Sequence, residues 1–323
     1  MREPLILGMS FAKPLRPRNL RNKVPELPEV EITARLIGAA VSGAVVESTM
    51  APGLNALRTF DPPFHALDGA TLTGIRRRGK LFLIDASAPG LAGPGTDPDA
   101  AAAADLTLVI HLMSAGRLQL YEKRASIKDR TSRLLLRLDG ERELRLREFG
   151  TQQRAWGKLL RREDVAGEET LAALGPEAWP APPKVKALRE ALAQSRPLYT
   201  LLRDQHEIAG IGRSWVDEIL HEARISPFKR GLDLDDAETA VLRAAIIDRL
   251  GHAIKHYEQT LKLPLPDKLP LPLRVHRHNG EPCPRDATKI EAVFFEDYVM
   301  CYCPTCQTEG KVLKDRRLSR LLK

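Results

Sequence analysis

The sequence predicts an α+β fold: an N-terminal β-sandwich with flanking helices, then a helical C-terminal domain ending in a cysteine-rich hairpin. Three observations carry this expectation. Residues 44–150 break into short alternating or apolar runs punctuated by glycine and proline, residues 185–257 turn to helical spacing, and all four cysteines lie at or beyond Cys283. A 323-residue chain can bury a real core, and its length points to two domains. Its formal charge of +8 favours a polyanionic partner, and no apolar run approaches membrane-spanning length. Cysteines confined to one end argue for one local metal site over a disulfide-stapled secreted fold.

Residues 1–23 show no sustained helix or strand period, and the apolar patch Leu5–Met9 is too short for a secretory signal. Valine is how a GTG start codon reads when translated internally. We therefore expect residues 1–24 to be a leader outside the working protein, with translation starting at Val24 and Pro25 left first. Pro25-Glu26-Leu27-Pro28-Glu29-Val30-Glu31 then opens a helix: Pro28 fits the first turn, and Glu29 and Glu31 suit the positive end of the dipole. The plain reading is an acidic helix start. The sharper one is that a terminal Pro25 keeps a secondary amine able to attack a sugar C1′ or a carbonyl and give an iminium. An internal proline is a tertiary amide and no nucleophile.

Strands are expected at Val45–Met50, Thr71–Arg76, Lys80–Ile84, Leu106–Leu112, Gly116–Leu120, Arg133–Leu138 and Glu143–Leu146. Ala88–Ala104, rich in Gly, Pro and Ala, reads as a flexible insertion in a hairpin. Arg76-Arg77-Arg78-Gly79-Lys80 is a basic turn entering a strand, either a solvated edge or a phosphate-contacting cluster with one functional lysine. Residues 161–184, charged and then proline-rich, read as a linker between a 25–160 domain and a 185–272 domain. Helices are expected at Val185–Ser195, Tyr199–Arg203, Trp215–Ala223 and Ala237–Tyr257. Gly210 and Gly212 make a tight turn whose following helix offers free N–H groups to a phosphate, although a plain helical hairpin looks the same.

Residues 273–323 form the tail. Cys283-Pro-Arg-Asp286, sixteen residues and Cys303-Pro-Thr-Cys306 have the layout of a zinc ribbon, two ligand turns joined by a hairpin at Ile290–Phe295 and Tyr298–Tyr302. The fourth ligand is open: Asp286, Cys301 and His278 are all near in sequence.

From Pro25 to Lys323 the chain resembles the formamidopyrimidine-DNA glycosylase and endonuclease VIII family of DNA repair enzymes, and its opening favours the formamidopyrimidine branch. The marks are Pro25–Glu31, Arg78-Gly79-Lys80, Asp204-Gln205 with Ala209-Gly-Ile-Gly212 and Asp217-Glu218-Ile-Leu220, and Cys303-Pro-Thr-Cys306-Gln307, in the family's order and spacing. The resemblance implies a β-sandwich, a helix-two-turn-helix domain and a zinc finger, with double-stranded DNA carrying damaged bases or abasic sites in the cleft between. It implies a monomer in the cytoplasm, associated with the nucleoid, holding one structural Zn2+.

The implied catalytic residues are Pro25 as nucleophile, Glu26 as acid/base on the opened sugar O4′, Glu29 orienting water or the sugar, and Lys80 holding phosphate. The implied reaction excises oxidised bases, 8-oxoguanine and formamidopyrimidines, through a Schiff base, then cuts the strand by β,δ-elimination. The target base must be flipped out of the duplex. DNA contacts carry over to Arg78, His111, Met113, Arg154, Arg213 and Arg317, with departures. Arg213 replaces the usual Asn, Met113 sits one place early with Ser114 at the family's wedge position, and Tyr298 stands where a phosphate-gripping arginine is usual, so that Arg316 or Arg317 would compensate. The same chemistry on oxidised pyrimidines, or mainly on abasic sites, is the alternative. A non-catalytic damaged-DNA-binding protein is the alternative of another class.

Overall fold

The computed structural model describes residues 24–89, 104–126, 128–149, 152–295 and 298–313. The chain enters α1 (Leu27–Val41) with Glu26 as its N-cap and Pro28 in the first turn, where a missing N–H costs nothing. The helix is buried along most of its length, and it packs on the sheet strand β2 and on the long helix α6 described below. It is therefore a central element of the molecule.

Eight strands follow: β1 (Val46–Met50), β2 (Thr71–Arg78), β3 (Leu81–Ala88), β4 (Ala104–His111), β5 (Gly116–Tyr121), β6 (Ser132–Leu138), β7 (Glu143–Glu148) and β8 (Trp156–Arg161). They make two four-stranded antiparallel sheets, ordered β1-β6-β7-β5 and β2-β3-β4-β8. Side chains of both sheets join one apolar core with α1. Gly157 marks how closely the sheets approach, since a Cβ there would lie 2.6 Å from Leu134 Cδ1. The expected sandwich is present. Strand β8 was not expected; its short Leu159-Leu160 pair among charges carries little period, and pairing with β4 supplies what propensity does not. In the insertion, Ala88 pairs with Ala104 and closes the hairpin as expected, while residues 90–103 lie outside the described residues.

Residues 161–184, the expected linker, carry structure of their own. They hold a 3-10 turn (Arg162–Gly167) and a short helix α2 (Glu169–Ala172), then run as a strap bonded to the helical half: Ala178 N–H donates to Ala209 O at 3.0 Å, Ala209 N–H to Pro176 O at 2.8 Å and Gly175 N–H to Gln205 O at 2.9 Å. The helical half comprises α3 (Val185–Leu192), α4 (Leu198–Leu201), α5 (Arg213–Ala223) and α6 (Asp236–Thr260). The last starts in a reciprocal cap, with Glu238 N–H on Asp235 Oδ1 at 2.7 Å and Asp235 N–H on Glu238 Oε2 at 3.2 Å.

The tail hairpin β9 (Glu291–Phe294) and β10 (Val299–Tyr302), followed by α7 (Pro304–Thr308), docks on α5. The buried Glu218 Oε1 of α5 accepts the backbone N–H groups of Arg274, Val275 and His276 at 3.0, 2.8 and 2.9 Å. Asp217 Oδ2, one residue earlier, bonds His276 Nδ1 at 2.7 Å and Cys301 N at 2.9 Å. Among the described residues, no helix is long and apolar enough to cross a membrane.

Candidate active site and metal centre

The start of α1 is locked to the start of α5. Glu26 Oε1 accepts from Ser214 N–H at 2.9 Å and Oε2 from Trp215 N–H at 3.3 Å, so a buried carboxylate caps the positive end of a second helix. The Gly210-Ile-Gly212 turn makes this fit. A Cβ at Gly212 would lie 2.3 Å from Glu26 Cδ, and Gly210, at φ 109°, lies so close to Leu27 that a Cβ would meet its Cδ1 at 2.4 Å. Leu27 N–H donates to Gly210 O at 3.1 Å. The turn expected to receive a phosphate receives a carboxylate of its own chain instead.

Glu29, one turn on, is 3% exposed. Its Oε1 accepts from Tyr257 Oη at 2.8 Å and Trp215 Nε1 at 3.2 Å, and its Oε2 from Glu26 N–H at 2.9 Å. Burial, then the neighbouring Glu26 charge, pushes its carboxyl up to about 7. Such a group exchanges a proton near neutrality. Pro25 is half-buried and shares with Glu29 a small cavity of about 30 Å³, walled by Leu112, Leu118, Leu265 and Leu271.

On the other side of Val24 lies a groove of about 510 Å³. Glu26 opens into it with Lys80, Met113, Arg154, Arg203, Arg213 and Tyr298. Lys80 sits in the β2–β3 turn after Gly79, whose φ of 57° a side chain would strain. Desolvation, and the charges of Arg203 and Arg213, lower the Lys80 pKa against the pull of Glu26 and Glu29. The lining therefore sets five cations (Lys80, Arg154, Arg203, Arg213, Arg277) against one carboxylate among the described residues.

A sequence profile of the formamidopyrimidine-DNA glycosylase N-terminal domain matches residues 24–154, and one of that enzyme's H2TH domain matches residues 174–264. The formamidopyrimidine-DNA glycosylase of Chloroflexus aurantiacus is 31% identical over 302 residues, covering 88% of this chain and 98% of that protein. The chain belongs to the formamidopyrimidine-DNA glycosylase family. An uncharacterized formamidopyrimidine-DNA glycosylase-like protein of Mycobacterium tuberculosis is 40% identical over 160 residues, 49% of this chain and all of that one. Among solved structures, the Lactococcus lactis enzyme in complex with DNA containing N7-benzyl-Fapy-dG is similar at TM-score 0.74 and 25% identity, covering 88% of this chain and 100% of that one. The Thermus thermophilus MutM protein is similar at TM-score 0.71 and 27% identity, covering 89% and 100%.

Against the family's expected DNA contacts the structure divides the residues. Met113, at φ 50°, and exposed Arg154 line the groove, as does Arg213, the first residue of α5. His111 stacks on Trp156 at 5.7 Å, and its Nδ1 accepts from Met113 N–H at 2.8 Å. Burial, with Lys80 and Arg58 nearby, pushes its pKa down to about 4, so the ring is neutral near pH 7. Arg78 is bonded within the fold. Its guanidinium bonds Glu177 Oε1 at 2.8 Å and the carbonyls of Leu174 and Gly175 at 2.9 and 2.8 Å, tying β2 to the strap. Glu177, which also bonds Arg77 and Gly79 N–H, has no local sequence signal because its partners lie about a hundred residues away. Arg316 and Arg317 lie outside the described residues.

The tail brings Cys283, Asp286, Cys303 and Cys306 together, their ligand atoms all within 4.8 Å of one another. This set can hold a metal ion. The Cys283 and Cys306 sulfurs are 3.9 Å apart, near the edge of about 3.8 Å that tetrahedral metal–sulfur bonds of about 2.3 Å require. Of the three candidates for the fourth ligand, Asp286 is in the cluster and the others are not. Cys301 turns inward and accepts from Arg277 N–H at 3.3 Å, and His278 bonds Glu281 at 2.8 Å. His221 of α5, which sequence reasoning passed over, places Nε2 3.2 Å from Cys283 Sγ and joins the centre to the helix that holds Glu26.

Proposed function

We propose that this protein is a bifunctional DNA glycosylase and abasic-site lyase acting on oxidised bases, 8-oxoguanine and formamidopyrimidines, in double-stranded DNA. The observation that carries the reading is that Pro25 and Glu29 share one small cavity while Glu26 and Lys80 line the basic groove on the other side of Val24, with the Gly210–Gly212 turn pressed against Glu26. The chemistry needs Pro25 as a chain terminus, reached when translation starts at Val24 and that residue is removed; the family profile likewise begins at residue 24.

The Pro25 nitrogen then attacks C1′, the C1′–base bond breaks with its electron pair leaving on the base, which solvent protonates, and the nitrogen's proton passes to the Glu26 carboxylate. Glu26 delivers a proton to O4′ as the sugar ring opens and the iminium forms. The iminium acidifies C2′–H, so the strand is cut by β- and then δ-elimination. Glu29, titrating near 7, moves a proton or orders water beside Pro25, and Lys80 holds the adjoining phosphate. The reading is tested by whether protein beginning at Pro25 forms an adduct with abasic duplex that borohydride reduces to a stable bond.

Zinc is the ion proposed for the tail cluster, with Asp286 as its oxygen ligand. Purified protein should carry one zinc per chain, and Asp286→Ala should lose most of it on gel filtration. Metal-free protein with an unchanged melting temperature would remove the ion from the account.

A further inference from the structure

Helix α5 meets a different part of the molecule at each turn. Its first N–H groups, at Ser214 and Trp215, receive Glu26. Asp217 and Glu218, in the middle, take the tail through the His276 ring, Cys301 N–H and the backbone of Arg274, Val275 and His276. His221 follows one turn on and is buried. Its Nε2 lies 3.2 Å from Cys283 Sγ, and its carbonyl accepts from Arg285 Nη1 at 2.9 Å. Just beyond the helix, Ile225 O accepts from Gln307 Nε2 at 3.0 Å, and Gln307 Oε1 accepts from Cys303 N–H at 2.9 Å. Both ligand turns of the cluster are thus bonded to the end of the helix whose start holds Glu26.

The contact with Cys283 has a direction. A metal-bound cysteine is a thiolate and carries no proton, so the hydrogen between the two atoms must sit on Nε2. His221 is not a fifth ligand: the atoms grouped within 4.8 Å of one another belong to Cys283, Asp286, Cys303 and Cys306. It meets the sulfur, not the ion. The sulfur needs such a donor, because three thiolates and a carboxylate bring more negative charge than a divalent ion neutralises. Cys283 is buried, so water supplies little of that stabilisation. Arg285 N–H also points to Cys283 Sγ, but at 3.5 Å it is the longer contact.

We propose that His221 donates Nε2–H to the Cys283 thiolate when the centre holds its ion, and so ties the metal to α5. The proposal rests on the reading that zinc occupies the cluster. His221 is a positioning residue. It acts through Cys283, fixing the orientation of the thiolate and drawing off part of its charge. Nothing in its local sequence marks it, since the cysteine is 62 residues further on.

The test is metal binding by the full chain, with zinc read by competition against a chromophoric chelator and cobalt(II) by its thiolate charge-transfer band. His221→Phe and the smaller His221→Leu occupy the site without an N–H, and each should weaken zinc binding about 10- to 100-fold. The cobalt band should move to lower energy in both, because a thiolate without the hydrogen bond gives up charge more readily. His221→Gln sets an amide N–H near the Nε2 position and should restore affinity and band to near the parent's. Equal loss of affinity in all three variants, with the cobalt band unmoved, would make His221 a space-filling residue and overturn the proposal. Parental affinity and spectrum in His221→Phe or His221→Leu would overturn it as well. A parent that binds neither zinc nor cobalt would instead defeat the metal reading beneath it.

Discussion

Glu26→Gln is expected to lower strand cleavage by about 10²–10⁴-fold, with only a few degrees' loss in melting temperature. The carboxylate does two things. Structurally it accepts two N–H groups at the start of α5, and a glutamine carbonyl keeps one of those bonds. Chemically it is the group proposed to give a proton to the opening sugar, and an amide has none to give. Because Gly212 leaves no room beside Glu26 Cδ, the carboxyl has little freedom to be anywhere else. Cleavage assays on an abasic duplex, with melting curves beside them, separate the two roles. Near-parental cleavage by Glu26→Gln would remove Glu26 from the chemistry.

Glu29→Gln is expected to change how stability depends on pH. In the folded protein the Glu29 carboxyl titrates at about 7 against an ordinary 4.5, chiefly because it is buried and secondly because Glu26 is close. Between those values the folded chain holds a proton that the unfolded chain has released, so stability falls as pH rises from about 4.5 to 7 and stays low above it. At about 1.4 kcal/mol per unit, the parent loses about 3 kcal/mol from this group, and the glutamine variant loses nothing by this route. Tyr257 Oη and Trp215 Nε1 can still donate to the glutamine carbonyl, which limits the structural disturbance. Urea unfolding at pH 4.5 and pH 8 reads the result as a parent-minus-variant difference that shifts by about 3 kcal/mol. A difference that is the same at both pH values would contradict the assigned titration.

Much of the architecture was legible because it is written in short-range pattern. Alternation marked β1 to β7, the Pro28 and Glu29 start marked α1, and the Cys-Pro-x-Cys/Asp spacing marked the metal cluster. The features that were not legible depend on distant partners. Strand β8 takes its conformation from β4, and the strap at 161–184 looked like a linker because its bonds run to Ala209 and Gln205. Arg78 shows the same dependence: its bond to Glu177, ninety-nine residues on, has no signal in the local sequence beside Lys80. The Gly210–Gly212 turn was likewise legible as a turn but not as the seat of Glu26, because only folding brings α1 against α5.

The central claim is that Pro25, as a free secondary amine, is the nucleophile. Borohydride trapping on an abasic duplex tests it most directly, with protein beginning at Pro25, the full 323-residue chain and a Pro25→Thr variant of the short form run side by side. The account predicts a covalent adduct from the Pro25-first protein alone. No adduct from that protein, although it binds the duplex, would contradict the account and leave a damaged-DNA-binding protein on this fold.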